Sequence, residues 1–168
     1  PQYQQQYAPG GRQPIRKLFL GAGIGFGVTF TGGQAFFRAE ESVGYHVFGV
    51  DEHPGLFVAL TLVQGVARTV VLDFAARIGF DAVAWQDALA RITVTPSFGV
   101  GVGLYIDNQG FGDSVFPGAF LMPGLEVAVT AVNGFLTVWY KPIAFDILIR
   151  DNGTAAYTMM AGVNLNLL

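Results

Sequence analysis

The stretch that decides the fold is Lys17 to Thr31, KLFLGAGIGFGVTFT. Large apolar side chains occupy every second position, and glycine or threonine fills most of the positions between them. A period of two places the large side chains on one face of a β-strand, whereas a helix would scatter them around its circumference. We therefore predict a strand here, although Leu18 to Phe37 carries no charge over the roughly 20 residues that a membrane helix needs.

The same alternation recurs along the chain and predicts about eight strands. Several of them approach the roughly 10 residues that a tilted membrane-spanning strand requires. The clearest further segments are 69–81, 91–106 and 157–168, and weaker ones cover 36–50, 56–63, 119–132 and 135–149.

Short breaks rich in turn residues separate these segments. Asn133-Gly134 and Asn152-Gly153 are strong hairpin signals, because both central residues of a type I′ turn need a positive φ. Short connections make sequence neighbours pair antiparallel, which predicts an up-and-down meander. The pattern does not define the connection between Asp81 and Ala90, where the Ala, Trp85, Gln86 and Leu89 content is compatible with one or two helical turns.

The composition is too apolar for an ordinary soluble domain. Charged residues make up 12% of the 168 residues and the mean hydropathy is +0.46, so a disordered chain is excluded. A net charge of −3 without a basic cluster argues against nucleic-acid binding. The absence of cysteine excludes a disulfide scaffold and a thiolate metal site.

The two faces of the predicted strands indicate which side meets lipid. A soluble barrel, such as a lipocalin-like ligand carrier, needs polar outward positions, and the first, fourth and fifth strands offer almost none. A membrane barrel instead has the large apolar set facing lipid and the small set facing a narrow lumen. Closure of such a barrel pairs the backbone N–H and C=O groups at every strand edge. The expected fold class is all-β: a closed, up-and-down antiparallel transmembrane β-barrel of eight strands.

The C-terminal segment carries the most specific motif. Tyr157, Gly162, Leu165 and Leu167 alternate in the order of a strand that barrel-assembly machinery reads, and the chain ends in Leu168 rather than Phe or Trp. In this motif and in architecture the chain resembles the eight-stranded bacterial outer-membrane barrels of the OmpA/OmpX/OmpW-like group, without a particular subfamily. The resemblance implies an integral protein of the bacterial outer membrane with both termini periplasmic. Its implied partners are outer-membrane lipid and the barrel-assembly machinery.

Charged residues on the inward parity are nearly balanced in sign, which indicates a lumen filled by salt bridges rather than an ion-selective channel. We expect Glu126 to pair with Arg91 or Lys141. Lys17, Glu40 and Asp146 share the parity, and rim positions in solvent are an equal alternative for them. The predicted lumen charge network is Arg38, Asp73, Arg77, Arg91, Glu126 and Lys141.

Residues for catalysis are few. Ser42, His46 and Glu40 share a parity and form a conceivable Ser/His/acid site, but a structural role for His46 is favoured. We expect no enzyme activity, no cofactor and no metal.

The N-terminal residues 1–15 form a Gln/Pro-rich tail of low complexity before a barrel at 16–168. We expect a periplasmic tail that docks through Tyr3 and Tyr7 to other envelope proteins or to copies of the chain, and a simple spacer is an equal alternative. The predicted function is a structural membrane anchor or envelope-assembly subunit with a plugged lumen. The alternatives are a narrow pore or conduit for small or hydrophobic solutes and, third, an outer-membrane lipid-modifying enzyme.

Overall fold

A computed structural model describes residues 13–50, 53–66, 69–107, 114–149 and 154–167. Over these residues the chain forms eight antiparallel strands, each paired with its sequence neighbours. The first strand also pairs with the last, so the sheet closes into a barrel. The strands are β1 (Leu18–Thr29), β2 (Ala35–Val50), β3 (His53–Val66), β4 (Thr69–Gln86), β5 (Ala90–Asp107), β6 (Ser114–Ala131), β7 (Leu136–Ile149) and β8 (Thr154–Leu167).

The predicted alternation corresponds to the two faces of the wall. In β1, Ile24 and Phe26 point outward and are 62% and 68% exposed, whereas Gly23 and Gly25, which alternate with them, are buried. β5 repeats this arrangement, with Val100 and Val102 outside. The outer face is therefore apolar, as the sequence predicted.

The lumen requires glycine where a side chain or the backbone of a nearby strand comes too close for a Cβ atom. A Cβ at Gly23 would collide with the Trp139 ring, and a Cβ at Gly25 would collide with the backbone of Met159 and Met160. Glycine at these inward positions allows large side chains from other strands to fill the interior.

The hairpin predicted at Asn133-Gly134 is confirmed. Asn133 and Gly134 have φ values of 56° and 76°, and the Phe135 amide donates to the Val132 carbonyl at 3.1 Å. These are the features of the expected type I′ turn. The second predicted hairpin, Asn152-Gly153, lies outside the described residues.

The segment between Asp81 and Ala90 forms no helical turn, so that expectation is wrong. β4 continues to Gln86, and the Asp87 carboxylate then accepts the amides of Leu89 and Ala90 at 2.7 and 2.8 Å. This local side-chain cap forms a tight turn, which the Ala and Leu content of the segment did not reveal. Among the residues described, no helix is long and apolar enough to cross a membrane.

Proline disturbs the register of β7. The β7–β8 pairing shifts between Lys141 and Ala144, on either side of Pro142, as expected for a residue without an amide proton. The Tyr157 hydroxyl donates to the Pro142 carbonyl at 2.5 Å and so satisfies one acceptor at the irregularity.

We expect Gly25→Val to destabilise the barrel, because its side chain would meet backbone atoms of β8 that cannot move aside. Overpacking of this kind costs about 3 kcal/mol. Urea unfolding in detergent micelles measures the loss. Ala22→Val is the matched control, since Ala22 is exposed on the outer face of the same strand. Equal stability of the two variants would contradict the assignment of the faces.

Candidate functional site

The lumen is the candidate site, because it holds most of the described charged side chains. Most of its charged side chains are almost fully buried, so they must find partners inside the barrel. The buried titratable residues are Arg38, Glu40, His46, Asp73, Arg77, Arg91, Glu126 and Lys141.

Glu40 is the centre of the ion network. Its Oε1 accepts from Lys141 Nζ at 2.5 Å and from Arg77 Nη1 at 2.9 Å, and Arg38 Nη2 lies 3.8 Å from Oε2. The three cations come from β2, β4 and β7, so one carboxylate connects three parts of the wall across the lumen. Because Glu40 is 2% exposed, its carboxylate needs these cations to offset the free-energy cost of removing it from water.

Arg38 extends the network toward the end of the barrel away from the termini. Its guanidinium forms an ion pair with Asp146 on β7 and donates to Met122 Sδ at 3.0 Å. Met122 belongs to a buried apolar cluster with Val63, Ala75 and Phe120. Ion pairs and apolar packing thus close the lumen at the same level.

A second polar group lies nearer the termini. His46 Nε2 is 2.9 Å from Asp81 Oδ2, and the Thr95 hydroxyl donates to Asp81 Oδ1 at 2.6 Å. The rings of Phe19 and Phe57 pack against the imidazole with centroid distances of 5.5 and 5.9 Å. The imidazole is therefore held by one carboxylate and two aromatic rings.

Gln13 closes the barrel mouth at the termini. Its side chain donates to the Ala88 carbonyl at 2.6 Å and accepts from the Gly134 amide at 2.7 Å. Arg91 Nη1 donates to the Gln13 carbonyl at 3.1 Å. The residue is 4% exposed and connects the β4–β5 turn to the β6–β7 turn. The segment leading into β1 therefore lies across the mouth.

Little space remains between Gln13 and the Glu40 network. A cavity of about 30 Å³, lined in part by His46, Arg91 and Glu126, has room for about one water molecule. The lumen is therefore narrow where these described side chains line it.

The opposite end of the barrel contains a larger space, which we call the outer cup. Its volume is about 240 Å³, and Phe36, Val71 and Leu148 form part of an apolar wall. Arg38 and Asp146 lie among its lining residues and place an ion pair at its inner side.

All six residues of the predicted network lie on the lumen side and are buried, but their partners differ from the prediction. Glu126 makes no ion pair with Arg91 or Lys141 among the described residues. The register places Glu126 opposite Thr95 and Arg91 opposite Thr130, four residues apart along β5 and β6. Lys141 instead binds Glu40. The sequence left rim and lumen positions open for three further residues. Glu40 lies at the centre of the ion network, Asp146 also belongs to this network, and Lys17 is exposed.

The conceivable Ser/His/acid site does not assemble. Glu40 is engaged by Lys141 and Arg77, and His46 is paired with Asp81. Ser42 lies four residues from His46 on one strand, about 13 Å at the rise of a strand. No group of three potential metal ligands occurs among the described side chains.

The predicted C-terminal motif lies on β8. Tyr157, Leu165 and Leu167 have the outward parity and Gly162 faces Trp139, where a Cβ would collide with the ring. Leu168 lies outside the described residues, as do Tyr3 and Tyr7. Recognition by assembly machinery and tail docking stay predictions.

Sequence reasoning missed Gln13 and Asp81 as lumen residues. Asp81 has the same parity as Asp73 and Arg77, but it is the last residue of the predicted strand 69–81. Its partner His46 is 35 residues away in the sequence. Gln13 belongs to a segment that reads as a flexible tail. Only the three-dimensional arrangement of the mouth provides its partners.

Solved structures share the fold. Neisserial surface protein A matches with a TM-score of 0.70 and 13% identity, covering 89% of this chain and 97% of that one. The N-terminal β-barrel domain of Pseudomonas aeruginosa OprF matches with a TM-score of 0.63 and 10% identity, covering 91% and 100%. At such identities the likeness concerns the fold alone.

Sequence comparison is less informative. No family model matches the chain. NADH-quinone oxidoreductase subunit N of Heliobacterium modesticaldum is 30% identical over 113 residues, which are 67% of this chain. The chain spans about a fifth of that protein's length (21%), so the match does not establish a family. The supported conclusion is structural: the chain has the fold of the eight-stranded outer-membrane β-barrels.

Glu40→Gln should destabilise the barrel by about 3–5 kcal/mol, because it leaves buried cations without their shared anion. Urea unfolding in vesicles measures the change. Lys17→Gln, which also alters one charge but at an exposed position, should be close to neutral. A small effect of Glu40→Gln would show that the network does not depend on this carboxylate.

Proposed function

We propose that the protein is a structural outer-membrane barrel, a membrane anchor or subunit of an envelope assembly, whose lumen is plugged. The observation that carries this proposal is the closure of the lumen at two levels. Glu40 with its cations fills one level, and Gln13 spans the mouth at the other.

The sign and pairing of the lumen charges favour a plug over a channel. An ion-selective pore presents a continuous hydrated path, commonly with a ring of one sign. Here the central anion is bound directly to two cations from other strands, and the cluster containing Phe120 packs beside them. Opening a path would require breaking buried ion pairs.

The outer face supports a location in the outer membrane, and we propose that both termini lie on its periplasmic side. Among the described strand residues, apolar side chains make up most of the outer face, and closure leaves no strand edge unpaired in lipid. The fold neighbours are outer-membrane barrels in their own right, which favours the same bilayer for this chain.

The outer cup favours one secondary role, the binding of a small apolar solute. Its 240 Å³ could accommodate a compact molecule against Phe36, Val71 and Leu148. Because the Arg38–Asp146 pair and Phe120 line its inner side, the cup would hold a solute rather than conduct it through the barrel.

The intact protein should show no steady ion-selective conductance in planar bilayers. Deleting residues 1–16 removes Gln13 from the mouth, and we expect this variant to remain closed as well because the Glu40 network persists. Steady conductance from the intact barrel would contradict the plugged lumen. Conductance confined to the deletion variant would identify Gln13 and its neighbours as the only seal.

Residues 1–11 should hold an envelope partner through Tyr3 and Tyr7. Replacing both tyrosines by alanine should abolish co-purification of that partner while the barrel still folds, because Gln13 and the mouth contacts are retained. Native mass spectrometry of detergent extracts gives the composition. Gln4→Ala with Gln6→Ala is the matched control. Retention of the partner by the tyrosine variant would count against docking.

A further inference from the structure

Glu41 is an exception on the apolar outer face. Neighbouring residues on β2 alternate, so Glu40 points into the lumen and Glu41 points out and is exposed. Among the described strand side chains, Glu41 is the only charged one on the outside. Its neighbours on that face of β2 are Ala39 and Val43, with Phe37 beyond. The carboxyl group therefore lies within the apolar belt rather than at a rim.

A single polar neighbour accompanies Glu41. Gln64 on β3 donates from Nε2 to Glu41 Oε2 at 3.5 Å, the outer limit of a hydrogen bond. The register pairs Glu41 with Leu62 and Ala39 with Gln64, so the two polar side chains are diagonal neighbours. This long contact leaves most of the hydrogen-bonding capacity of the acid and the amide unused.

Such a pair is costly in contact with hydrocarbon. An unpaired ionisable side chain within the membrane is unfavourable, and such groups usually meet protein rather than lipid. The outer surface around Glu41 is therefore suited to contact with another protein.

The shape of this surface permits close approach. Ala22 lies directly across from Glu41 on β1, and Ala39 is its neighbour along β2. Small side chains allow two membrane surfaces to come close enough for hydrogen bonds between them. Beside the pair, a surface groove of about 490 Å³ is lined by residues including Val43, Leu60 and Phe74.

We propose that this surface, defined by Ala22, Ala39, Glu41 and Gln64, is an interface with a second copy of the chain. An acid and an amide side by side are self-complementary. A two-fold axis parallel to the membrane normal would bring Glu41 of one copy to Gln64 of the other. The same axis would bring Gln64 of the first copy to Glu41 of the second. The described outer face offers no cation, so Gln64 is the complementary donor that the chain itself supplies.

This inference rests on the proposed membrane location, and the experiment separates the two. The chain has no cysteine, so Leu89→Cys in the exposed β4–β5 turn gives a single labelling site. Flotation of lipid vesicles carrying the full chain tests membrane insertion alone. Energy transfer between donor- and acceptor-labelled copies, followed as lipid is added, then measures self-association.

In the Leu89→Cys background, Glu41→Leu should weaken self-association by roughly tenfold, which corresponds to ~1.4 kcal/mol. Ala22→Trp should do the same by blocking approach. Glu41→Gln should retain most of the transfer, since paired amides also form two hydrogen bonds. Ala119→Trp is the matched control, because Ala119 is an exposed alanine on β6, across the barrel from β2.

Two results would overturn the proposal. One is energy transfer at the level expected for random monomers, which would indicate that a different protein or lipid meets Glu41. The other is an equal response to Ala22→Trp and Ala119→Trp, which would place any self-contact elsewhere. A barrel that fails to float with vesicles would instead refute the membrane location.

Discussion

Pairing between the first and last strands is the constraint on which the rest of the structure depends. Leu18 lies opposite Leu167 and Thr29 opposite Ala156, so the backbone hydrogen bonds of β1 and β8 close the sheet. A closed sheet has no edge that needs water, so most of its outer face can be apolar. The scarcity of charge in the whole chain follows from that outer face.

Closure with eight strands also makes the interior narrow, and this determines how the inward side chains are arranged. Gly23 admits the Trp139 ring, and the Trp139 indole donates to Asn164 at 2.9 Å. The Lys141 ammonium lies 4.7 Å from the centre of the same ring while it binds Glu40. Large, polar and charged groups therefore share one continuous packing, and the ion pairs are part of the core rather than a lining around water.

The face of each strand was predictable from local pattern, whereas the partners across the lumen were not. Alternation places Arg38, Arg77 and Lys141 inside because successive side chains of a strand point to opposite faces. Which carboxylate they share depends on the position of each residue along the barrel axis. The register shifts near Glu126 and Pro142 change these positions. The prediction gave Glu126 as a partner of Arg91 or Lys141 and left Glu40 open between rim and lumen, whereas Lys141 binds Glu40 in the structure.

By itself, the sequence determined the all-β class, the eight antiparallel strands, the outward apolar face and the Asn133-Gly134 hairpin, because these depend on period-two alternation and local turn chemistry. The contacts of Glu40 with three cations, of Asp81 with His46 and of Gln13 across the mouth became visible in the folded barrel. Those contacts join residues between two and more than one hundred positions apart. Their formation depends on register and closure, which set distances across the lumen that no local pattern encodes.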